Sequence, residues 1–229
     1  MCFFYYLRKR FPFSYTSINF LEFHPSMLPY DIDQAVRQIK ASDRFMANLI
    51  RKVGSFELVI TSEWSPFQAL VRSVIFQQIS TRAGQAIQSR LFNLFDGAPT
   101  PDALLRTPVG TLRGIGLSKT KETTVRSLAA SANSELLPNR DVMLTLSDQE
   151  IIDLLSQHKG IGIWTAQMFL IFNLGRPDVW PTTDLGIRRG YKIAYHLDEL
   201  PAPSELHKIG DQWKPFRSVA SWYLWRAND

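Results

Sequence analysis

The chain has 229 residues, 45% of them apolar, enough for a packed core in one large domain or two small ones. Its formal charge of +5 favours a polyanionic partner without specifying one. Cys2 is the single cysteine, which excludes intrachain disulfides, a four-cysteine zinc site and a four-thiolate iron–sulfur cluster, and no apolar run approaches the roughly 20 residues that span a bilayer.

Residues 1–26 hold nine aromatics with neither a helical nor a strand period, and read as an appendage ahead of Met27, either an upstream start or an extra packing segment. Their apolar "MCFFYYL" precedes the basic "RKR", the reverse of secretory order. From Asp31 onward apolar residues recur at three- and four-residue steps, so the predicted fold class is all-α. "DIDQAVRQIKASD" opens the helical series, and "FELVIT" (56–61) is the one stretch suited to a short strand or an extended connector. Ser65 and Pro66 stand at N-cap and N1 of "SPFQALVRSVIFQQIS". Further helices are predicted over "TRAGQAIQSRLFNLF" and "PDALLRT", and after the turn "RGIG" (113–116). Ser147 and Glu150 form a predicted capping box ahead of Ile151.

The helix opened by that box runs into "HKGIGIWTAQMFL" (158–170), giving a helix–hairpin–helix over about 149–173. Gly160 and Gly162 are read as allowing positive φ and the close approach of another backbone. The N–H groups of the second helix's first turn lack intrahelical partners and suit a phosphate, with charge from Lys159 and a further donor from Thr165. A tight interhelical turn without a ligand would use the same Gly-Ile-Gly. "RGIG" repeats the pattern, as a second phosphate-facing turn or as a structural joint with a solvated basic end at Lys119 and Lys121. Downstream, "LGRPDVWPTTDLGIRRG" places Asp184 at a helix start, an ordinary N-cap taken alone.

Together "FQQIS", "LRGIGLSKTK", "GIGIWTAQMFL", "GRPDVWPTTDLGIRRG" and "WKPFRSVASWYLW" resemble the helix–hairpin–helix DNA glycosylases, within them the 3-methyladenine DNA glycosylase II branch, over about Asp31 to Trp225. The resemblance implies two helical subdomains flanking a DNA-binding cleft within a domain spanning 27–229. It implies a monofunctional enzyme, without a cofactor, that hydrolyses the N-glycosidic bond of alkylated bases in duplex DNA. Asp184 is the implied catalytic carboxylate, stabilising an oxocarbenium-like sugar. Trp164, Trp225 and Met168 are the implied base pocket, since π-faces favour a positively charged base.

Five tryptophans crowd the C-terminal third, with Tyr191 and Tyr223 near them in sequence, and Ser218, Ser221 and Trp225 share a helix face whose small residues leave space. Bifunctional relatives carry a lysine directly before the Thr-Ala of the second hairpin helix; Trp164 stands there. "QQIS" matches the loop that fills the gap left by the flipped base, with Gln78 and Ile79 at the wedge, where relatives often place an apolar residue. Lys159, Gly160, Gly162 and Thr165 complete the DNA-binding set, and the carbonyls of Ser156, His158 and Ile161 suit a non-catalytic monovalent cation. The expected partner is double-stranded DNA, bound by a monomer without membrane association, in a bacterial nucleoid or a eukaryotic nucleus. Rival readings are a non-catalytic DNA-binding module and a glycosylase for oxidised or mismatched bases.

Overall fold

A computed structural model describes residues 28–229, apart from the side chain of Thr81; the appendage reading falls outside these residues. The described residues form thirteen α-helices and no strand. Two helices come first, α1 (Ile32–Ser42) and α2 (Arg44–Val53), capped by Asp31 and Asp43. An extended connector follows, so 56–61 is not a strand; Thr61 N–H donates to the Phe172 carbonyl at 2.8 Å. The next group is α3 (Pro66–Phe76), α4 (Thr81–Phe95), α5 (Pro101–Arg106), α6 (Thr111–Gly114), α7 (Lys119–Asn133), α8 (Arg140–Thr145), α9 (Asp148–Ser156) and α10 (Ile163–Phe169). The chain leaves α10 through a π turn (Leu170–Leu174) and a loop, then returns to the first two helices as α11 (Leu185–Ala194), α12 (Pro203–Ile209), a 3-10 turn (Gly210–Trp213) and α13 (Arg217–Arg226).

The packing divides accordingly. In one group α3 packs on α4, α7 and α10, α5 on α7, and α9 on α10; in the other α13 packs on α2 and α11, and α1 on α2. Local chemistry sets the boundaries. Capping boxes open α3 (Ser65 with Gln68) and α9 (Ser147 with Glu150), each satisfying orphan N–H groups. No helix of the described residues is long and apolar enough to cross a membrane.

Two features place the start of α11. Gly190 lets α11 lie backbone to backbone on α13, since a Cβ there would come within 1.8 Å of the Leu224 carbonyl oxygen. The loop before α11 is anchored to α13, where the Arg217 guanidinium clasps Asp178 at 2.7 and 2.9 Å and the Ser218 hydroxyl donates to the Arg176 carbonyl. Ser218 is therefore a wholly buried staple, the equally buried Ser221 bonds back to the Arg217 carbonyl of its own helix, and the space expected beside them is filled. The tryptophans divide in the same way. Trp180, Trp213 and Trp222 are core residues, Trp180 donating to the Leu206 carbonyl and Trp213 to Asp43. Tyr191 stacks on Tyr195 and Tyr223 donates to the Gly54 carbonyl, so proximity in sequence does not make these rings one pocket.

Candidate active site

The two helix groups meet at Asp184. It caps α11, with its Oδ1 accepting from Ile187 N–H at 2.8 Å and from Trp225 Nε1 at 2.9 Å, while its Oδ2 accepts from Trp164 Nε1 at 2.7 Å. Its residue exposure is 6%, and three N–H donors from α10, α11 and α13 leave the carboxylate no rotational freedom. Asp184 is thus the N-cap it reads as when taken alone, and its carboxylate also accepts from the two tryptophans named with it. Donors aimed from fixed helices at one buried carboxylate complement negative charge without reorganisation.

Trp164 is half-buried at the start of α10, whereas Trp225 is 3% exposed and stacks on Phe172 at 5.6 Å. Met168, one turn along α10 from Trp164, is buried in the core. Of the three expected pocket residues, Trp164 is the one with substantial surface. Phe172 went unnoticed in sequence, because nothing in an apolar run distinguishes the ring that will lie beneath an indole.

The hairpin between α9 and α10 has the expected form. Gly160 has φ +95, and a Cβ there would meet Thr124 Oγ1 at 2.4 Å. Gly162 differs from expectation. Its φ of −94 and ψ of 173 are open to any residue, and a Cβ would meet nothing within 4 Å. No side chain caps α10 at Gly162, so its first-turn N–H groups are left for an outside acceptor. Lys159 is exposed beside them, and burial holds the neighbouring His158 imidazole below its usual range. Thr165, by contrast, is 4% exposed and lies 3.3 Å from Gln77 Nε2, so its hydroxyl serves the interior rather than a surface ligand. The His158 carbonyl accepts from Ile161 N–H at 2.9 Å and is thereby held in the turn; the cation-site set of Ser156, His158 and Ile161 offers neutral oxygens alone, a donor set that fits a weakly held monovalent ion.

The turn joining α3 to α4 carries Gln78 and Ile79. Gln78 is exposed with φ +54, a left-handed conformation that costs a non-glycine residue about 1 to 2 kcal/mol. Its neighbour Gln77 reaches the hairpin, donating to the Gly160 carbonyl at 3.0 Å. Lys121 is not part of a solvated basic end. Its ammonium donates to the carbonyls of Ile75 and Gln77 at 2.8 and 2.7 Å, and burial lowers its pKa. The "RGIG" repeat is the structural joint: Arg113 pairs with the buried Glu122, which also accepts from Gly110 N–H, and Gly116 packs on Ile87.

A family model described as "HhH-GPD superfamily base excision DNA repair protein" matches residues 71–215, which include the α3–α4 turn, the hairpin and Asp184. The chain belongs to that family. It is 33% identical to DNA-3-methyladenine glycosylase 1 of Schizosaccharomyces pombe over 86% of this chain and 88% of that one. It is also 30% identical to the alkylbase DNA glycosidase-like protein mag2 of the same organism, over 86% and 93%. Among solved structures, the S. pombe 3-methyladenine DNA glycosylase (Mag1) in complex with abasic DNA superposes with a TM-score of 0.79, covering 84% of this chain and 95% of that chain at 33% identity. A DNA-3-methyladenine glycosidase from Bacillus halodurans gives 0.76, with 84% and 88% covered at 35% identity.

Proposed function

We propose that this HhH-GPD protein is a monofunctional DNA glycosylase that hydrolyses the N-glycosidic bond of alkylated bases in duplex DNA and so begins base excision repair. The observation that carries the reading is the Asp184 carboxylate, buried at the junction of the two helix groups and aimed by the indoles of Trp164 and Trp225. What sets it apart from a purely structural cap is that Oδ2 has a single donor, the half-buried Trp164 at the start of α10. The activity named for the S. pombe DNA-3-methyladenine glycosylase 1 supports the substrate class.

An alkylated purine is already cationic, so its departure needs little acid help, and the remaining barrier is the electron-deficient sugar. Asp184 Oδ2 carries one donor against two on Oδ1, which leaves it the lone pair to face that sugar and to orient water. Extruding the base costs a few kcal/mol; Gln78, in its strained and exposed turn, enters the gap. The uncapped start of α10, with Lys159, holds the strand's phosphates. Trp164 supplies the π-face, a cation–π contact favouring a charged base by about 0.5 to 2 kcal/mol. Duplex DNA is the partner, the enzyme acts as a monomer, and the carbonyls of Ser156, His158 and Ile161 would hold a monovalent cation, whose charge would favour the nearby phosphates.

No amine precedes Thr165 on α10, so no imine forms with the opened sugar and the strand stays intact. The test is methylated duplex DNA with released bases resolved by product, run with and without borohydride. Release of 3-methyladenine or 7-methylguanine leaving uncut abasic strands, with no trapped adduct, is the expected result. Failure to release any methylated base overturns the substrate class, and an adduct forming at the rate of base release overturns the monofunctional assignment.

A further inference from the structure

The α3–α4 turn and the hairpin are joined by polar contacts across 83 residues of chain. At the end of α3 the last carbonyls have no intrahelical partners, and the Lys121 ammonium from α7 takes those of Ile75 and Gln77 at 2.8 and 2.7 Å. That pins the Gln77 backbone. The Gln77 side chain then crosses to the hairpin, where Nε2 lies 3.0 Å from the Gly160 carbonyl and 3.3 Å from Thr165 Oγ1. From the other side, Thr124 Oγ1, also on α7, stands 2.8 Å from the Lys159 carbonyl.

These contacts have a directional consequence. In a trans peptide the C=O and the following N–H point in opposite directions, so drawing the Lys159 carbonyl toward α7 turns the Gly160 N–H away from it. Gly160 is therefore gripped through both its flanking carbonyls, from Thr124 and from Gln77. Gln78, one residue on, takes the left-handed conformation and is exposed. The residue projected outward and the hairpin facing phosphate are thus fastened to each other through a single amide.

We propose that Gln77, braced by Lys121, is a positioning residue that locks the turn carrying Gln78 to the hairpin, so that entry into the base stack and the grip on the strand backbone occur as one rigid movement. The proposal rests on the glycosylase reading above. Its consequence is specific to flipping. Loosening the joint slows excision where a paired base must be displaced, and matters little where the lesion has no pairing partner to oppose extrusion.

The experiment compares single-turnover release of 7-methylguanine from two duplexes, one with the lesion opposite cytosine and one with it opposite an abasic site. Gln77→Met keeps the length of the side chain and removes the donor. The expected result is a loss of about tenfold on the paired duplex, on the order of one hydrogen bond, with under about threefold on the unpaired one. Adding Gln77→Met to Gln78→Ala should cost nothing further on the paired duplex, because the joint has then lost the group it positions. Lys121→Met, acting on the Gln77 backbone from α7, should reproduce the same paired-over-unpaired bias. It provides the second reading if Gln77→Met lowers the thermal midpoint. Equal slowing on both duplexes by either folded variant, or additive losses in the double variant, overturns the proposal. A wild-type enzyme that releases no methylated base on either duplex refutes the glycosylase reading instead.

Discussion

Asp184→Asn separates charge from shape at the centre of the site. The amide oxygen can keep both bonds now made to Oδ1, from Ile187 N–H and Trp225 Nε1, at 2.8 and 2.9 Å. The amide nitrogen must then face Trp164 Nε1, a donor against a donor where 2.7 Å now separates donor from acceptor. The reverse rotamer would lose two bonds rather than one, so the variant forfeits the Trp164 bond. A hydrogen bond to a charged acceptor is worth about 1.5 to 3 kcal/mol, and a domain of this size shifts by roughly 2 to 4 °C per kcal/mol. The variant should therefore remain folded with a midpoint lower by about 3 to 12 °C. Catalysis loses much more, because the negative charge opposite the sugar disappears, at a cost on the order of 10² to 10³ in single-turnover rate. Binding to abasic-site DNA, measured by fluorescence anisotropy, should stay near wild type. Excision within about tenfold of wild type in the folded variant would refute the reasoning.

The glycines of the hairpin should part company. Gly162→Ala meets no neighbour and an ordinary φ, so its thermal midpoint should hold while affinity for all DNA sequences falls, whereas Gly160→Ala meets Thr124 and a positive φ and should unfold more readily. Unchanged DNA affinity in Gly162→Ala would show that no phosphate approaches there. Lys159→Ala should flatten the slope of log affinity against log salt by about one unit, read from anisotropy titrations. For Glu122, burial raises the carboxyl while Gly110 N–H, Arg126 and Arg113 lower it, with a net value below the usual range. A depressed folded pKa adds stability that is complete above the unfolded value and lost as pH falls through the folded one. Glu122→Gln should therefore show a shallower loss of thermal midpoint on acidification below about pH 4.5 than wild type does. Asp43→Asn should lower the midpoint and leave the excision rate of the folded fraction unchanged.

Local signals in the sequence marked the parts of the molecule that local chemistry determines. Ser65 with Pro66 and Ser147 with Glu150 cap the helices they were expected to cap, and the short link between Gln157 and Ile163 makes the hairpin. Asp184 was legible as a helix start and, by resemblance, as the carboxylate of interest. Partners brought from far along the chain were not legible. Lys121 looks like one more surface lysine in "SKTKE" until α7 crosses the end of α3. Of the two glutamines in "QQIS", no periodicity says which turns inward; the choice is made by the Gly160 carbonyl, 83 residues away. Ser218 and Ser221 looked like empty space because small side chains leave room on an isolated helix, but α13 is buried on every side and the loop from Arg176 to Val179 closes over Ser218.

Asp43 shows how a structural carboxylate differs from the one proposed to react in the same chain. It too caps a helix, with 7% exposure, accepting from the N–H groups of Phe45 and Met46 on one oxygen and from Trp213 Nε1 and the Tyr195 hydroxyl on the other. Its donor set is richer than that of Asp184, and the surrounding ring of Trp213 is wholly buried. Both oxygens are doubly engaged, by the half-buried Tyr195 among others, so a substrate arriving there would find no lone pair to use. Asp184 has a singly engaged oxygen whose one donor, Trp164, is half-buried on the first turn of the hairpin's second helix. Moving or stacking that indole alters access to the carboxylate without opening the core. Under the proposed function, the separation of roles depends less on how many tryptophans or carboxylates the chain carries than on placing one donor of Asp184 at the uncapped start of α10.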